Sequence, residues 1–432
     1  MTARPLHFRL CRPKSTQYPV YSHKTPRSKS YTSGERVAPS DDLRGWRALA
    51  GPLTLFLAAL AALVGANSGY GPMFRAFWST AHGVVGITFT VQDVVDKGLM
   101  TVFFLVVGLT LKREILHGAL RHPRTMLLPV AAALGGMIAP ALIYHTLNRE
   151  GPGVAGFGVP MSTDIAFAIG ALTLLGRRVP RNLLVFLLAL AIVDDLGAIL
   201  VIAFYYTSHF RPTALLWAAL ATGALIVLNR RAVREPHAYV VLGLVLWIAL
   251  WRAGIDPPLA GVVLAAGLPA GGHHQAPGDP PLLATDRLER RLSPYVTFGI
   301  LPLFAFANAG LAFHYSDITR AKPVMLGVLL GLLLGKFCGV GLVSWLVLRL
   351  RWAHLPPAVT FRHVLGAAWL SGIGFTMALF INTLAFAPGP DRASGKLAIL
   401  IASPLAAVLG IAWLWRPGPR RPPASREGAS AA

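Results

Sequence analysis

Long apolar runs recur along this chain of 432 residues, and they restrict its fold more than any other feature. A helix that crosses the hydrocarbon core of a bilayer needs about 20 apolar residues. Runs near that length occur at 49–67, 94–112, 125–147, 160–176, 182–206, 212–229, 238–252, 257–270, 294–314, 323–348, 361–386 and 395–415. In hydrocarbon each backbone amide must find its partner within the protein, so such runs read as helices. The chain is 54% hydrophobic and 13% charged, against about 25% charged in soluble domains. The predicted fold class is an all-α polytopic membrane protein with about 12 transmembrane helices, one per run.

The net charge of +22 does not imply a nucleic-acid surface. Basic residues lie in short loops and at both ends, without aromatic residues interleaved on a polar face. Placing the N-terminus in the cytoplasm puts 30 Lys and Arg on the cytoplasmic side and 8 on the other. That asymmetry follows the positive-inside rule and predicts a multi-pass protein with both termini cytoplasmic. Residues 1–45 are basic, rich in Ser, Pro and Tyr, and lack any hydrophobic period. They read as a disordered tail, or as an overlong start, ahead of a membrane domain at 46–415 and a C-terminal tail at 416–432. Cys11 and Cys338 cannot form a disulfide framework. His273 and His274 lie in a polar loop and read as solvated. The alternating stretch VVGITFTVQ within 68–92 predicts a short extracellular hairpin.

Against this background, charged residues inside the runs stand out. Asp194 and Asp195 occur side by side in LALAIVDDLGAIL, Asp164 follows Ser162 and Thr163 in GVPMSTDIAFAIG, and Lys336 lies in GLLLGKFCGVG. Each such acid costs roughly 2.5–3.5 kcal/mol at a span centre. Three carboxylates against one ammonium leave a negative surplus that invites a cation or protons. Neighbours on a helix point about 100° apart, so one of the pair can face Lys336 while the other faces a cavity. Carboxylate, hydroxyl and carbonyl oxygens suit a small hard cation. Acids that hold either protons or a metal ion, never both, outline an exchanger. The fourth and eleventh runs are interrupted, by Gly156, Gly158 and Pro160 in one and by Gly372 and Gly374 in the other. Paired interruptions of this kind indicate broken helices meeting near mid-membrane. Asp164 and Lys336 are placed to offset the partial charges at the half-helix ends.

The segments STDIAFAIGAL (162–172), LALAIVDDLGAI (188–199), LPLFAFANAG (301–310), LLLGKFCG (332–339) and GIGFTMALFI (372–381) resemble the NhaA-type bacterial sodium/proton antiporters. The resemblance extends from about residue 46 to 415. It implies an inverted-repeat antiporter fold whose fourth and eleventh helices are broken and cross. It also implies electrogenic export of Na+ or Li+ from the cytoplasm in exchange for a larger number of inward H+, which serves pH and sodium homeostasis across a bacterial inner membrane. Asp194 and Asp195 then correspond to the ion- and proton-binding pair, with Na+ at these two residues. Asp164 and Thr163 correspond to broken-helix ion-site residues and Lys336 to an essential lysine. No cofactor is implied, and the expected partner beyond the bilayer is a second copy in a homodimer.

Departures from the family bear on pH sensing, for which Arg113, Glu114 and Glu289 are the candidate residues. Thr110 in GLTLKRE replaces an acid, and Lys97 stands where an acid is common. Arg290 and Ser293 replace histidines, as does Asp256 in GIDPPLAG. Losing histidines removes groups that titrate near neutrality, so pH activation is expected to be shifted or blunted. An intramembrane aspartyl protease would need one aspartate on each of two spans, and an organic-anion symporter does not suit an acidic site. A secondary transporter, not an enzyme, is the expected activity.

Overall fold

The computed structural model describes residues 46–84, 87–116, 118, 123–207, 211–231, 233, 235–269, 284–311 and 321–416. The expected N-terminal tail, His273, His274 and all of the C-terminal tail except Arg416 lie outside them. The first span, α1 (Trp46–Asn67), leads into a short helix α2 (Gly71–Ser79). The predicted hairpin follows as β1 (Ala81–Val84) and β2 (Ile87–Thr90), antiparallel with Ala81 opposite Thr90 and Val84 opposite Ile87. Thr90 then starts α3 (Val91–Leu116) through a capping box, its Oγ1 accepting from Asp93 N while Asp93 Oδ2 accepts from Thr90 N.

The remaining spans are α4 (Pro123–Leu147), a 3-10 helix (Pro152–Met161) continued by α5 (Ile165–Leu174), α6 (Arg181–Tyr205), α7 (Pro212–Arg230) and α8 (Pro236–Ala253). After the short α9 (Leu259–Gly267) come α10 (Thr285–Ala309), α11 (Lys322–Arg349), the pair α12 (Phe361–Ser371) and α13 (Phe375–Ala385), and α14 (Pro390–Trp415). Proline opens α4, α7, α8 and α14, where its missing N–H leaves no bond unmade.

Among the described residues, nine helices are long and apolar enough to cross a membrane, and two bent pairs bring the number to eleven. The twelfth expected span is not confirmed by helix length: among the described residues the run at 257–270 yields the nine-residue α9. Such a helix is about 14 Å long, half of a bilayer core. Pro257 and Pro258 delay its start, and Pro269 pushes Leu268 into extended backbone, ending it. Its exposed terminal carbonyls are satisfied from α3, where Lys112 Nζ donates to Ala265 O at 3.3 Å, Ala266 O at 2.9 Å and Leu268 O.

Both broken spans are present. The 3-10 helix and α5 meet at 42° across Ser162–Asp164, and α12 and α13 meet at 46° across Gly372–Gly374. The first begins eight residues before the predicted start of the fourth run, because the Gly- and Pro-rich stretch 152–161 winds as a tight 3-10 helix. Near the middle of the molecule, α4 and α11 touch backbone to backbone. A Cβ on Gly135 would lie 2.4 Å from Gly339 O, and one on Gly339 would lie 2.1 Å from Gly135 O. Such small-residue contacts let membrane helices approach closely. The central helices α6 and α11 are the most enclosed, whereas α7 turns Leu216, Trp217 and Leu220 outward, as suits a lipid-facing helix.

Candidate ion-binding site

Helix α6 carries Asp194 and Asp195 into the core of the molecule, where their relative exposures are 0% and 1%. Consecutive positions on a helix diverge, and the two carboxylates have different surroundings. Asp194 Oδ2 accepts from Lys336 Nζ at 2.5 Å and from Thr163 Oγ1 at 2.7 Å. Asp194 Oδ1 and both oxygens of Asp195 are buried without a hydrogen-bond partner. Asp195 also stands within electrostatic range of Asp194 and Asp164, which repel its charge, and of Lys336, which attracts it. A buried ionised carboxylate is strongly unfavourable unless paired. Three orphaned oxygens at one place make this the candidate site for a proton or a cation.

The two helix breaks are joined at this point. Asp164 N donates to Ile373 O at 2.6 Å, and Thr163 Oγ1 lies 2.8 Å from Ser371 O. Thr163 has a single hydroxyl proton for two acceptors, Asp194 Oδ2 and Ser371 O, so it donates to one at a time. Asp164 is the N-cap of α5, its Oδ1 accepting from Phe167 N at 3.1 Å. Its Oδ2 accepts from Thr376 N at 3.1 Å and Thr376 Oγ1 at 2.5 Å, at the start of α13. One carboxylate thus occupies the N-terminal ends of two half-helices, where peptide dipoles concentrate positive charge. The second free amide of α13, Phe375 N, donates to Ser403 Oγ on α14 at 3.1 Å.

Gly372 and Gly374 have ordinary negative φ values of −71° and −87°. They are needed for space. A Cβ on Gly372 would come within 2.5 Å of Leu332 O, and one on Gly374 within 3.3 Å of Ser162 O. Lys336 follows a π-helical stretch, Gly331–Gly335, and is completely buried. Its stem passes α4 at Gly136, where a Cβ would lie 3.6 Å from Lys336 Cδ. No contact places Lys336 at the C-terminal carbonyls of the half-helices; Thr163 is the group that reaches Ser371 O.

The structure brings Arg113, Glu114 and Glu289 together as a separate cluster. Arg113 Nη1 contacts Glu289 Oε1 at 2.8 Å and its Nη2 contacts Glu114 Oε1 at 3.5 Å. Thr110 Oγ1 also donates to Glu289 Oε1, at 2.8 Å, so the residue replacing the family's acid is a hydrogen-bond donor here. Arg113 and Glu289 share no described contact with Asp194, Asp195 or Lys336. Thr376 and Ser403 went unrecognised in the sequence. A threonine two residues beyond Gly374, at the head of a half-helix, was a usable signal, because hydroxyl side chains favour helix starts. Ser162 is buried with an unpartnered Oγ and sits in the same break. Among the described residues, no three His, Cys, Asp or Glu side chains converge as a resident metal site.

Comparisons with known proteins identify the family. The sodium/proton antiporter "Na(+)/H(+) antiporter NhaA" of Acidithiobacillus ferrooxidans is 45% identical over 416 residues, covering 86% of this chain and 95% of that protein. Its namesake from Syntrophobacter fumaroxidans is 41% identical, covering 87% and 90%, and that of Vibrio parahaemolyticus is 44% identical, covering 84% and 94%. The model of the family described as Na+/H+ antiporter 1 matches residues 47–414. Spans, paired breaks and buried acids lie inside that match, and the chain belongs to this family of secondary transporters.

Proposed function

We propose that the protein exports Na+, or Li+, in exchange for a larger number of inward H+, and that Asp195 and Asp194 bind both. The observation that carries this reading is the pair of unpartnered, buried oxygens on Asp195 beside the Asp194–Lys336 ion pair. An isolated carboxylate in such a place holds a proton or a cation, because leaving it charged and alone costs too much. Na+ recruits Asp195 and the free Oδ1 of Asp194. Its arrival displaces the proton of Asp195 and competes with the Lys336 ammonium for Asp194. A second proton then leaves through the coupled Asp194–Lys336 pair, so more than one H+ exchanges per ion and transport is electrogenic. The protons belong to the coupled set, not to single residues.

In this reading Asp164 and Thr163 hold the two breaks in register, and their oxygens complete the ion's ligand set when the breaks rearrange. Alternating access proceeds by motion of the paired half-helices about Ser162–Asp164 and Gly372–Gly374. The protein resides in a bacterial inner membrane with both termini cytoplasmic and works as a homodimer. Asp256, in the turn between α8 and α9, is pushed up to about 7 by burial, with Lys97 opposing the shift. That position therefore still titrates near neutrality, with charge passing from 0 to −1 where a histidine would pass from +1 to 0. The activation profile is displaced by this reversal and by Thr110, Arg290 and Ser293. Reconstitution into vesicles with a pH dye tests the core of the proposal. Na+ addition is expected to move protons in the wild type and to move none in Asp195→Asn. Undiminished proton movement in Asp195→Asn would refute it.

A further inference from the structure

A cavity of about 610 Å³ opens between α3, the α8–α9 turn and the start of α14. Its floor includes Phe380, one helical turn beyond the Thr376 that binds Asp164. The α8–α9 turn and the start of α14 lie on this side of the molecule. Loop charges assign the side as extracellular.

Lys97 projects into it from a π-helical stretch, Val94–Leu99. Its Nζ lies 2.6 Å from Asp93 Oδ1 and 4.9 Å from the centroid of the Trp251 ring. Trp251 is fixed edge-on against Trp247, with centroids 4.9 Å apart, and Trp247 Nε1 donates back to Lys97 O at 3.0 Å. Gly254, at φ +80°, ends α8 in the left-handed conformation and turns the chain so that Asp256 lines the same cavity. Asp256 Oδ2 is buried without a partner, and the charge of Lys97 attracts this carboxylate. Asp96 is already engaged by Asn308 Nδ2 at 2.6 Å and Gln92 Nε2 at 3.2 Å. One ammonium is held by a carboxylate and an indole face, with a second carboxylate lining the same cavity, and these are groups that recognise a compact monovalent cation.

We propose that the Lys97 ammonium is a built-in occupant of a monovalent-cation site formed by Asp93, Trp251 and Asp256, and that it keeps exported Na+ from binding again at the outer mouth. The role in export rests on the antiport reading above; the site itself does not. Without the tethered amine, Na+ can take its place, and release to the outside becomes sensitive to the Na+ already there.

Everted membrane vesicles, whose lumen corresponds to the extracellular side, test this. Lumens are loaded with graded Na+, and exchange from the exposed face is followed. Luminal Na+ is expected to halve the rate at a concentration about three- to tenfold lower in Lys97→Gln than in wild type, the range set by cation–π and exposed ion-pair contributions. Lys97→Arg, which keeps the cation, should match wild type, and Asp256→Asn added to Lys97→Gln should restore tolerance. Lys97→Met, retaining the aliphatic stem, replaces the Gln variant if that does not fold. Equal sensitivity in wild type and both amine-free variants overturns the proposal while leaving antiport intact. A readout independent of transport is tryptophan emission of purified Lys97→Gln titrated with NaCl against choline chloride. A saturable change that disappears with Trp251→Phe supports the site, and no saturable change overturns it. Failure of wild-type exchange with a positive titration would sink the antiport reading instead.

Discussion

In the cavity beside the α8–α9 turn Asp93 has a lysine and a capping threonine, and Asp96 has two amide donors. At the centre of the molecule Asp195 has nothing, and Asp194 leaves one oxygen free beside its lysine. Both regions combine aspartates with a lysine on membrane-spanning helices, yet one is nearly saturated and the other is not. Saturated acids are held by fixed partners. Unsaturated ones stay available to ions that come and go. Burial widens the difference, since Lys97 and Asp93 are about a third and a quarter exposed while Lys336 and Asp194 are fully enclosed. Water moderates the first pair and cannot reach the second.

The largest test of this contrast pairs Asp195→Asn with Asp93→Asn. Exchange in reconstituted vesicles should vanish in the first and persist in the second. Equal losses would erase the distinction between the two regions. Next comes Lys336→Ala, which strands Asp194 in the core. Loss of one partner of a buried pair costs about 3–5 kcal/mol, visible as a large drop in unfolding temperature. Replacing both partners, as Asp194→Asn with Lys336→Met, should recover most of that stability without recovering transport. Thr376→Val removes the hydroxyl from Asp164 and is expected to cost about 1.5–3 kcal/mol, as for a hydrogen bond to a charged group. Thermal melts read the stability, and a raised apparent KM for Na+ would show that the two breaks act together. The last test, Asp256→Asn, has an effect that depends on pH. The wild-type carboxyl, raised to about 7, binds its proton more tightly folded than unfolded. Its burial therefore penalises the fold progressively from the ordinary carboxylate range up to about pH 7, and evenly above it. The melting temperature of Asp256→Asn relative to wild type should rise across that window and then level off.

Much of the architecture was legible in residue order. Apolar runs correspond to helices because hydrocarbon offers no other way to satisfy the backbone. The alternation VVGITFTVQ corresponds to a hairpin, and Gly and Pro mark two real breaks. The run at 257–270 is the one whose helix falls short of its apolar length, because composition alone does not register that flanking prolines hold a helix to nine residues. Asp194 facing Lys336 was foreseeable from the divergence of helical neighbours and the scarcity of buried cations. Thr376 was not, because its partner Asp164 is 212 positions away and only the meeting of two breaks brings them together. The same applies to Lys97, whose neighbours Trp251 and Asp256 come from another span and its turn.

By itself the sequence determined that this is a helical membrane protein of the Na+/H+ antiporter kind, with costly acids at its centre. The helices and the cost of the acids follow from local composition and from transfer energies that each segment carries alone, and the antiporter kind from the motifs that resemble the family. Only the tertiary structure decided which carboxylate oxygens are satisfied. Saturation depends on donors from distant helices arriving within about 3 Å, and no one-dimensional pattern encodes that arrival. Asp93, Asp164 and Asp195 are the same residue type in the chain. In the fold they are an ion-pair partner, a cap shared by two half-helices, and an acid without a partner.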